Sequence, residues 1–543
     1  MKIFTQDSQP AHSLRLIHRA ALVWCSAAFA AIVAFYLNRS HIGLEGDPHA
    51  WASASCLTMA RAFNTLGPLH LRFVPFQNNL PVGSDPDVYL HWPPLYPLVL
   101  AGFLRIFGDA PASGRILELL VVLLTAAIVM LIASRLYSSR IALLSGFFYL
   151  TCRPAFEEAI SILHQPLAML FACASVLFFL LAVKPATGAV PRTPAAAQAP
   201  THLPYAVLGV LCVVLAILTA WDPVFVPFGL LAGSVYLKNR AGIRLAAAYI
   251  SAAVITFAAV QADYILNYPE LFKNQLATIA YRAGLPFNGE SSVQLHTIID
   301  HTNFAIQDSL YILFVNICDN IYALIGPIAL LASCLVFAHW FQHARLREDH
   351  PERSSVWLIF GLGFPWIAWF AVMPNYVANH SFPLVIATPY AAIACAIVLD
   401  AVWTFLSDSP QRKPILWVMV SVFPLLVIFP LVRGIHVHDE KPQFSDLSSL
   451  VERSTPPTAV VLTPCISFVP VFDSHRHLVR GIQSDQWLQR AINQAHTAFP
   501  GSPLFLALQN SDRVDFPETL PRLHLLAQQG DSEIYKLDDG NAR

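Results

Sequence analysis

Asp47 is the residue of this sequence best placed to do chemistry. It stands in Gly43-Leu-Glu-Gly-Asp-Pro-His-Ala-Trp51, directly after the first strongly apolar run of the chain. A carboxylate there has two uses. Asp followed by Pro is a good helix cap with Pro at the first helical position, which predicts a helix over His49–Phe63. A carboxylate within hydrogen-bond reach of a hydroxyl is also a general base. The two roles are compatible, since a capping side chain still has a second oxygen to project into a cavity.

Further polar residues interrupt or flank apolar runs. Asp85, Asp87 and His91 follow Asp47 and His49, and Glu157, Glu158, His164, Gln165, Asp222 and Asp263 come later. Asn375, Asn379 and His380 complete the set. Each has a plain structural use. His91-Trp-Pro-Pro-Leu-Tyr-Pro97 suits a rigid aromatic turn at the headgroup level. Asp222, between Trp221 and Pro223, suits the cap of a tight turn, and Glu157 with Glu158 suits a solvated loop edge. Arg282, in Tyr281-Arg-Ala-Gly284, is either a solvent-facing loop arginine or a permanent cation for a phosphate.

The elements that position these residues are membrane helices. The chain has 543 residues, 56% of them hydrophobic and 12% charged, and a mean hydropathy of +0.54. A soluble protein carries about twice that charge fraction. The net charge of -1 gives no basic field for nucleic acid. The nine cysteines form no CxxC pair and no metal-ligand spacing. There is no phosphate loop, nucleophile elbow, HExxH pair or dinucleotide fingerprint.

The first apolar run, Ala20 to Leu37, reads as a retained signal anchor. Further spans are expected near 116–134, 141–155, 162–183, 205–220, 223–237, 245–266, 317–341, 355–373, 383–405 and 415–432. Basic clusters mark the cytoplasmic side: the N-terminus, Arg135–Arg140, Lys238–Arg244, Arg345–Arg353 and Arg412–Lys413. About eleven spans, each long enough to cross, then place the N-terminus in the cytoplasm and the C-terminus outside. Leu95–Phe107 is too short to cross alone and reads as a re-entrant or juxtamembrane helix. Lys184–Pro204, rich in Pro and Ala, is a cytoplasmic loop. In this arrangement the polar residues named above all fall on the outer side, where ionisable groups at membrane depth imply a wet cavity.

From about Ile435 the composition becomes that of a soluble domain. Ala459–Thr463, Pro503–Gln509 and Glu533–Leu537 read as strands, and Ser484–Phe499 as an amphipathic helix. The expected architecture is an all-α polytopic membrane domain over 1–433, followed by a small extracytoplasmic α/β domain over 434–543. His475-Arg476, after Asp473, reads as an ordinary surface turn.

The order of these features resembles the GT-C membrane glycosyltransferases. The likeness is to the branch of dolichyl-phosphate-mannose protein mannosyltransferases, the lipid A aminoarabinose transferase and the bacterial RgtA/B/C/D-like proteins. It is carried by GDPHAWASASCLTMARAF (46–63), HWPPLYPLVLAGFLRIFG (91–108), SRLYSSRIALLSGFFYLT (134–151), LHQPLAMLF (163–171) and HSFPLVIATPYAAI (380–393). The resemblance implies a sugar on a polyprenyl phosphate as donor, presented from the bilayer, and a glycan, lipid or protein acceptor. It makes Asp47 the catalytic base. The family's acidic position before the Pro-Pro turn, which helps hold a divalent metal ion, is His91 here. Its second acid is replaced by Gln165, so Glu157 or Glu158 substitutes for it or Gln165 orients the acceptor without charge. Arg282, His380 and Asn379 are then the groups to meet the leaving phosphate, with His164 and Asp222 as further substrate contacts. Two other classes fit the same sequence: a transporter or flippase of lipid-linked or small polar solutes, and a catalytically altered subunit of envelope assembly. The lack of an internal repeat speaks against a transporter.

Overall fold

The computed structural model describes residues 43–44, 47, 49–77, 88–183, 202–283, 353–374, 382–407, 445–465, 469–482, 484–509 and 523–537, with isolated positions elsewhere. Most of the expected spans at 20–37 and 317–341, the span at 415–432, and the loop at 184–201 lie outside the described residues. So do Asp85, Asp87, Asn375, Asn379 and His380.

Helices form where apolar runs were long. In chain order they are α1 (Ala50–Leu66), α2 (Leu95–Phe107), α3 (Pro111–Leu136), α4 (Ser139–Thr151), α5 (Arg153–Ile160), α6 (His164–Ala182), α7 (Leu203–Thr219), α8 (Phe225–Tyr236), α9 (Arg240–Asn267) and α10 (Pro269–Arg282). A 3-10 turn, Asp222–Val224, leads into α8. Then come α11 (Arg353–Leu358), a π turn over Ile359–Gly363, α12 (Phe364–Val372) and α13 (Thr388–Ser407). Among the described residues five helical stretches have the length and composition to cross a membrane: Pro111–Leu136, His164–Ala182, Arg240–Asn267, Ser354–Val372 and Val385–Leu406. The span expected over 141–155 is instead two short helices. α4, capped by Ser138 accepting from the Ile141 N–H, stops at Thr151, and Cys152 is extended. Pro154, which donates no backbone hydrogen bond, is tolerated because the chain restarts there as the first turn of α5.

The chain divides into two units. The first comprises residues 1–38, 119–159 and 164–436. Within it α6 packs along α7, α9 lies against α7 and α8, and α4 packs on α13. Close approach decides one glycine. A Cβ on Gly229 of α8 would lie 2.0 Å from the Phe360 carbonyl oxygen of the π turn, so only glycine fits.

The second unit comprises residues 39–118, 160–163 and 437–543. This unit resumes at Val437, and the tail shares it with α1 and α2. α1 packs on α2. The tail adds α14 (Ser445–Ser454), β1 (Val460–Leu462), α15 (Val469–Asp473), β2 (His477–Val479), α16 (Asp485–Ala498), β3 (Leu504–Gln509), β4 (His524–Gln529) and β5 (Ser532–Leu537). The strands form one sheet, β2-β1-β3-β5-β4, parallel across β2-β1-β3 and antiparallel across β3-β5-β4. Alternation along β1 explains the layering. Val460 and Leu462 face Leu488, Ile492 and Ala495 of α16, while Val461 faces Leu447, Leu450 and Val451 of α14. Helices therefore cover both faces of the sheet. β1, β3, β5 and α16 fall where alternation and amphipathicity placed them, α16 with Ser484 as its N-cap.

Candidate active site

Asp47 is buried in the second unit, its side chain 0% exposed. Four groups converge on its carboxylate. The His49 backbone N–H and the Ser161 hydroxyl each donate to Oδ1 at 2.7 Å. The Ser53 hydroxyl donates to Oδ2 at 2.7 Å, and Arg115 Nη2 lies 3.6 Å from the same oxygen. A carboxylate offers about four lone-pair positions, so its acceptor capacity is matched. Asp47 does tie down the start of α1, as its local sequence suggested. It is not the N-cap itself: the helix starts two residues later than the Asp-Pro pair implied, with His49 as the N-cap and Ala50 the first helical residue, and Asp47 holds the His49 N–H from two residues before the cap.

The donors are themselves fixed. Ser53, one turn into α1, accepts from the Ile162 N–H at 2.8 Å. Arg115 donates from Nε to the Ile160 carbonyl at 2.8 Å and from Nη2 to the Gly43 carbonyl at 3.1 Å. One turn along α3 from Arg115 lies Glu118, fully buried, which accepts from the Tyr96 hydroxyl of α2 through Oε1. Its Oε2 has no hydrogen-bond partner among the described residues. Cys56, on α1, is buried beside these acids.

His91 lies in the same unit, its ring edge-on to Tyr89 with centroids 5.2 Å apart. Among the described residues no three His, Cys, Asp or Glu side chains converge as a metal site requires. The described residues therefore do not supply a ligand set around His91.

A second polar group lies in the first unit. His164 and Gln165 open α6 and are 8% and 1% exposed, and Asp222, in the turn before α8, is 4% exposed. Both amide atoms of Gln165 and Oδ1 of Asp222 are buried without a hydrogen-bond partner among the described residues. Asp222 caps neither the turn nor α8 with a side-chain bond, so the expected capping role is not what holds it. Arg282 ends α10, its guanidinium 4.6 Å from the Tyr376 ring centroid, and its charge acts on both His164 and Asp222. Two turns before Arg282 on the same face of α10 is Gln275, 2% exposed, whose amide atoms also lack a hydrogen-bond partner among the described residues. Buried polar atoms without partners are uncommon, and of these residues Asp222, like His164, feels the Arg282 charge. Glu157 and Glu158 lie on α5.

Comparison with known proteins adds the family context. Residues 91–190 match the family model described as dolichyl-phosphate-mannose-protein mannosyltransferase. No curated protein sequence matches the chain. Among solved structures, ArnT from Cupriavidus metallidurans bound to undecaprenyl phosphate superposes with a TM-score of 0.63 at 13% identity, covering 95% of this chain and 98% of that one. Its apo state gives 0.61 at 14% identity, with the same coverage. The archaeal oligosaccharyltransferase AglB from Archaeoglobus fulgidus, in complex with an inhibitory peptide and a dolichol-phosphate, gives 0.55 at 10% identity, over 90% of this chain and 69% of that one.

The chain has the GT-C fold.

It is an integral membrane protein of that fold, with apolar helices of crossing length and a small sheet. In this GT-C chain the residues that grip Asp47 are ones sequence reasoning passed over: Ser53, Ser161 and Arg115. Arg115 and Glu118 carried a signal, because two ionisable residues one turn apart at the head of an apolar span are expensive and rarely idle. Gln275 gave none, as nothing in its helix distinguishes a buried amide from an exposed one.

Proposed function

We propose that the protein is an inverting glycosyltransferase that moves a sugar from a polyprenyl-phosphate donor to an acceptor hydroxyl at the outer face of the membrane. The observation that carries this reading is the Asp47 carboxylate, buried in a GT-C fold with serine hydroxyls 2.7 Å from each oxygen. Those distances are what a hydroxyl substrate needs, so an acceptor hydroxyl can take the place of Ser161. The proton then passes from that hydroxyl to Asp47 as its oxygen bonds to the anomeric carbon. The bond from that carbon to the phosphate oxygen breaks, and the electron pair leaves with the polyprenyl phosphate. General-base help of this kind is worth about 10²–10⁴-fold.

The group around Arg282 suits the donor. A permanent cation stabilises charge developing on a leaving phosphate, and His164, Gln165, Asp222 and Gln275 offer groups for sugar hydroxyls. The mannosyltransferase description, and the undecaprenyl phosphate and dolichol-phosphate held by the two solved relatives, support a lipid-linked donor. Glu157 or Glu158 serves as second acid in place of Gln165, and His380 and Asn379 assist at the phosphate. The N-terminus is cytoplasmic, and the α/β domain from about residue 434 is extracytoplasmic, in the cell membrane. The test is turnover: protein reconstituted in liposomes with polyprenyl-phosphate-linked sugars and a native envelope extract as acceptor. Release of polyprenyl phosphate that depends on the extract supports the reading, and no release with any donor refutes it.

A further inference from the structure

The last residue of α15, Asp473, carries a carboxylate whose charge reaches Arg115, the ion-pair partner of Asp47, and the turn it opens is anchored. Arg61 of α1 donates from Nη1 to the Phe472 carbonyl at 3.0 Å, and its guanidinium stacks over the Phe472 ring, 3.9 Å from the centroid. Its Nε is committed to Asp109 at 2.8 Å. Phe472 itself is 2% exposed, wedged where α15 packs on α1. Just beyond this anchor come Asp473, Ser474 and His475, and the last has φ 50°, a strained left-handed conformation for a non-glycine residue. His475 Nδ1 is 3.5 Å from Arg61 Nη2.

Within that turn two polar side chains have no hydrogen-bond partner among the described residues. Asp473 is half-buried and makes no hydrogen bond or ion pair with any described residue, although the charges of His475 and Arg61 act on it. The Ser474 hydroxyl is 0% exposed and also without a hydrogen-bond partner among the described residues. Asp473 is half-buried beside the fully buried Ser474 hydroxyl, so a hydroxyl ligand that reaches this turn meets a ready carboxylate acceptor next to an unsatisfied hydroxyl. The Asp473 charge also acts on Arg115, the ion-pair partner of Asp47. Asp47 has its oxygens filled by four groups, whereas no described residue hydrogen-bonds to Asp473.

Building on the glycosyl-transfer reading, we propose that the Asp473-Ser474-His475 turn of the C-terminal segment is the acceptor-binding element, with Asp473 accepting hydrogen bonds from hydroxyl groups of a polyhydroxylated acceptor. Burial raises the Asp473 carboxyl above its ordinary range, which strengthens it as an acceptor of hydroxyl hydrogen bonds. The test is a steady-state titration with the reconstituted full chain, the lipid-linked donor that the wild type turns over, and serial dilutions of a detergent extract of the native envelope as acceptor. Asp473→Asn raises the half-saturating amount of extract about tenfold or more, the weight of a hydrogen bond to a charged group. The donor KM stays at its wild-type value, and Asp473→Glu recovers most of the loss. Equal half-saturation in Asp473→Asn and wild type overturns the inference, as does a parallel loss in kcat and both KM values, which marks a structural role. Those outcomes leave the transferase reading standing. A wild type that transfers nothing overturns both.

Discussion

Arg115 Nη2 lies 3.6 Å from Asp47 Oδ2, and the two side chains are 2% and 0% exposed. Both charges are out of water, and each is the other's compensation. A buried pair of this kind contributes little net stability, but removing one partner strands the other. Arg115→Met is therefore expected to destabilise the protein by about 3–5 kcal/mol. Combining it with Asp47→Asn is expected to cost clearly less than the sum of the two single changes. A double-mutant cycle on denaturant unfolding in detergent checks this, and additive losses would show the pair to be uncoupled.

Ser161 tests whether its hydroxyl stands where an acceptor hydroxyl binds. Ser161→Ala removes one of four groups on Asp47, at a stability cost of about 1–3 kcal/mol. If the acceptor hydroxyl replaces that of Ser161 during turnover, kcat in Ser161→Ala falls by less than about tenfold, well short of the general-base contribution. Kinetics on the reconstituted protein, read beside its melting curve, separates the two effects.

Asp473 has a pH signature. Burial raises its folded pKa above the unfolded value of 3.8, so the folded state holds this proton more tightly than the unfolded chain does. Its contribution to stability is thus present in acid and lost as pH rises from 3.8 through the folded value. Asp473→Asn should melt higher than wild type at neutral pH, and the gain should vanish in acid. Melting curves from pH 3 to pH 8, an interval set by about one side each of the carboxylate range, read this out.

His477 has the opposite sign. It sits on β2 with its ring against Phe499, centroids 4.6 Å apart, and burial lowers its pKa from 6.5. The unfolded chain takes up that proton first, so the stability of this part of the sheet is present above 6.5 and is lost as pH falls from there through the folded value. Hydrogen exchange of β1 and β2 peptides, corrected for intrinsic rates, should show protection falling in mild acid. In His477→Phe that loss should be absent.

How much of this was written in the sequence depends on range. α2 begins and ends at Leu95 and Phe107, the bounds of an apolar run too short to cross, and Val460–Leu462 announced itself as a short β-branched run buried throughout. β2 is three residues long, and the edge strand β4 is mostly exposed, so neither carries a readable period. Asp47 was visible because Asp-Pro after an apolar run is a local signal. Its environment was not, because Ser161 reaches it across 114 residues. Arg61 meets Phe472 across 411 residues. The turn at His475 looked like ordinary surface for the same reason: nothing near it in the sequence shows that Arg61 anchors it.

The most direct measurement is the transfer rate of Asp47→Asn in reconstituted membranes, with binding of undecaprenyl phosphate confirming that the variant is folded. Asn preserves the size of the side chain and removes its capacity to take a proton. Asp47 as the base predicts a loss in kcat of about 10²–10⁴-fold, with undecaprenyl phosphate bound as by the wild type. Transfer at the wild-type rate would contradict that role and leave Asp47 as the anchor of α1 alone.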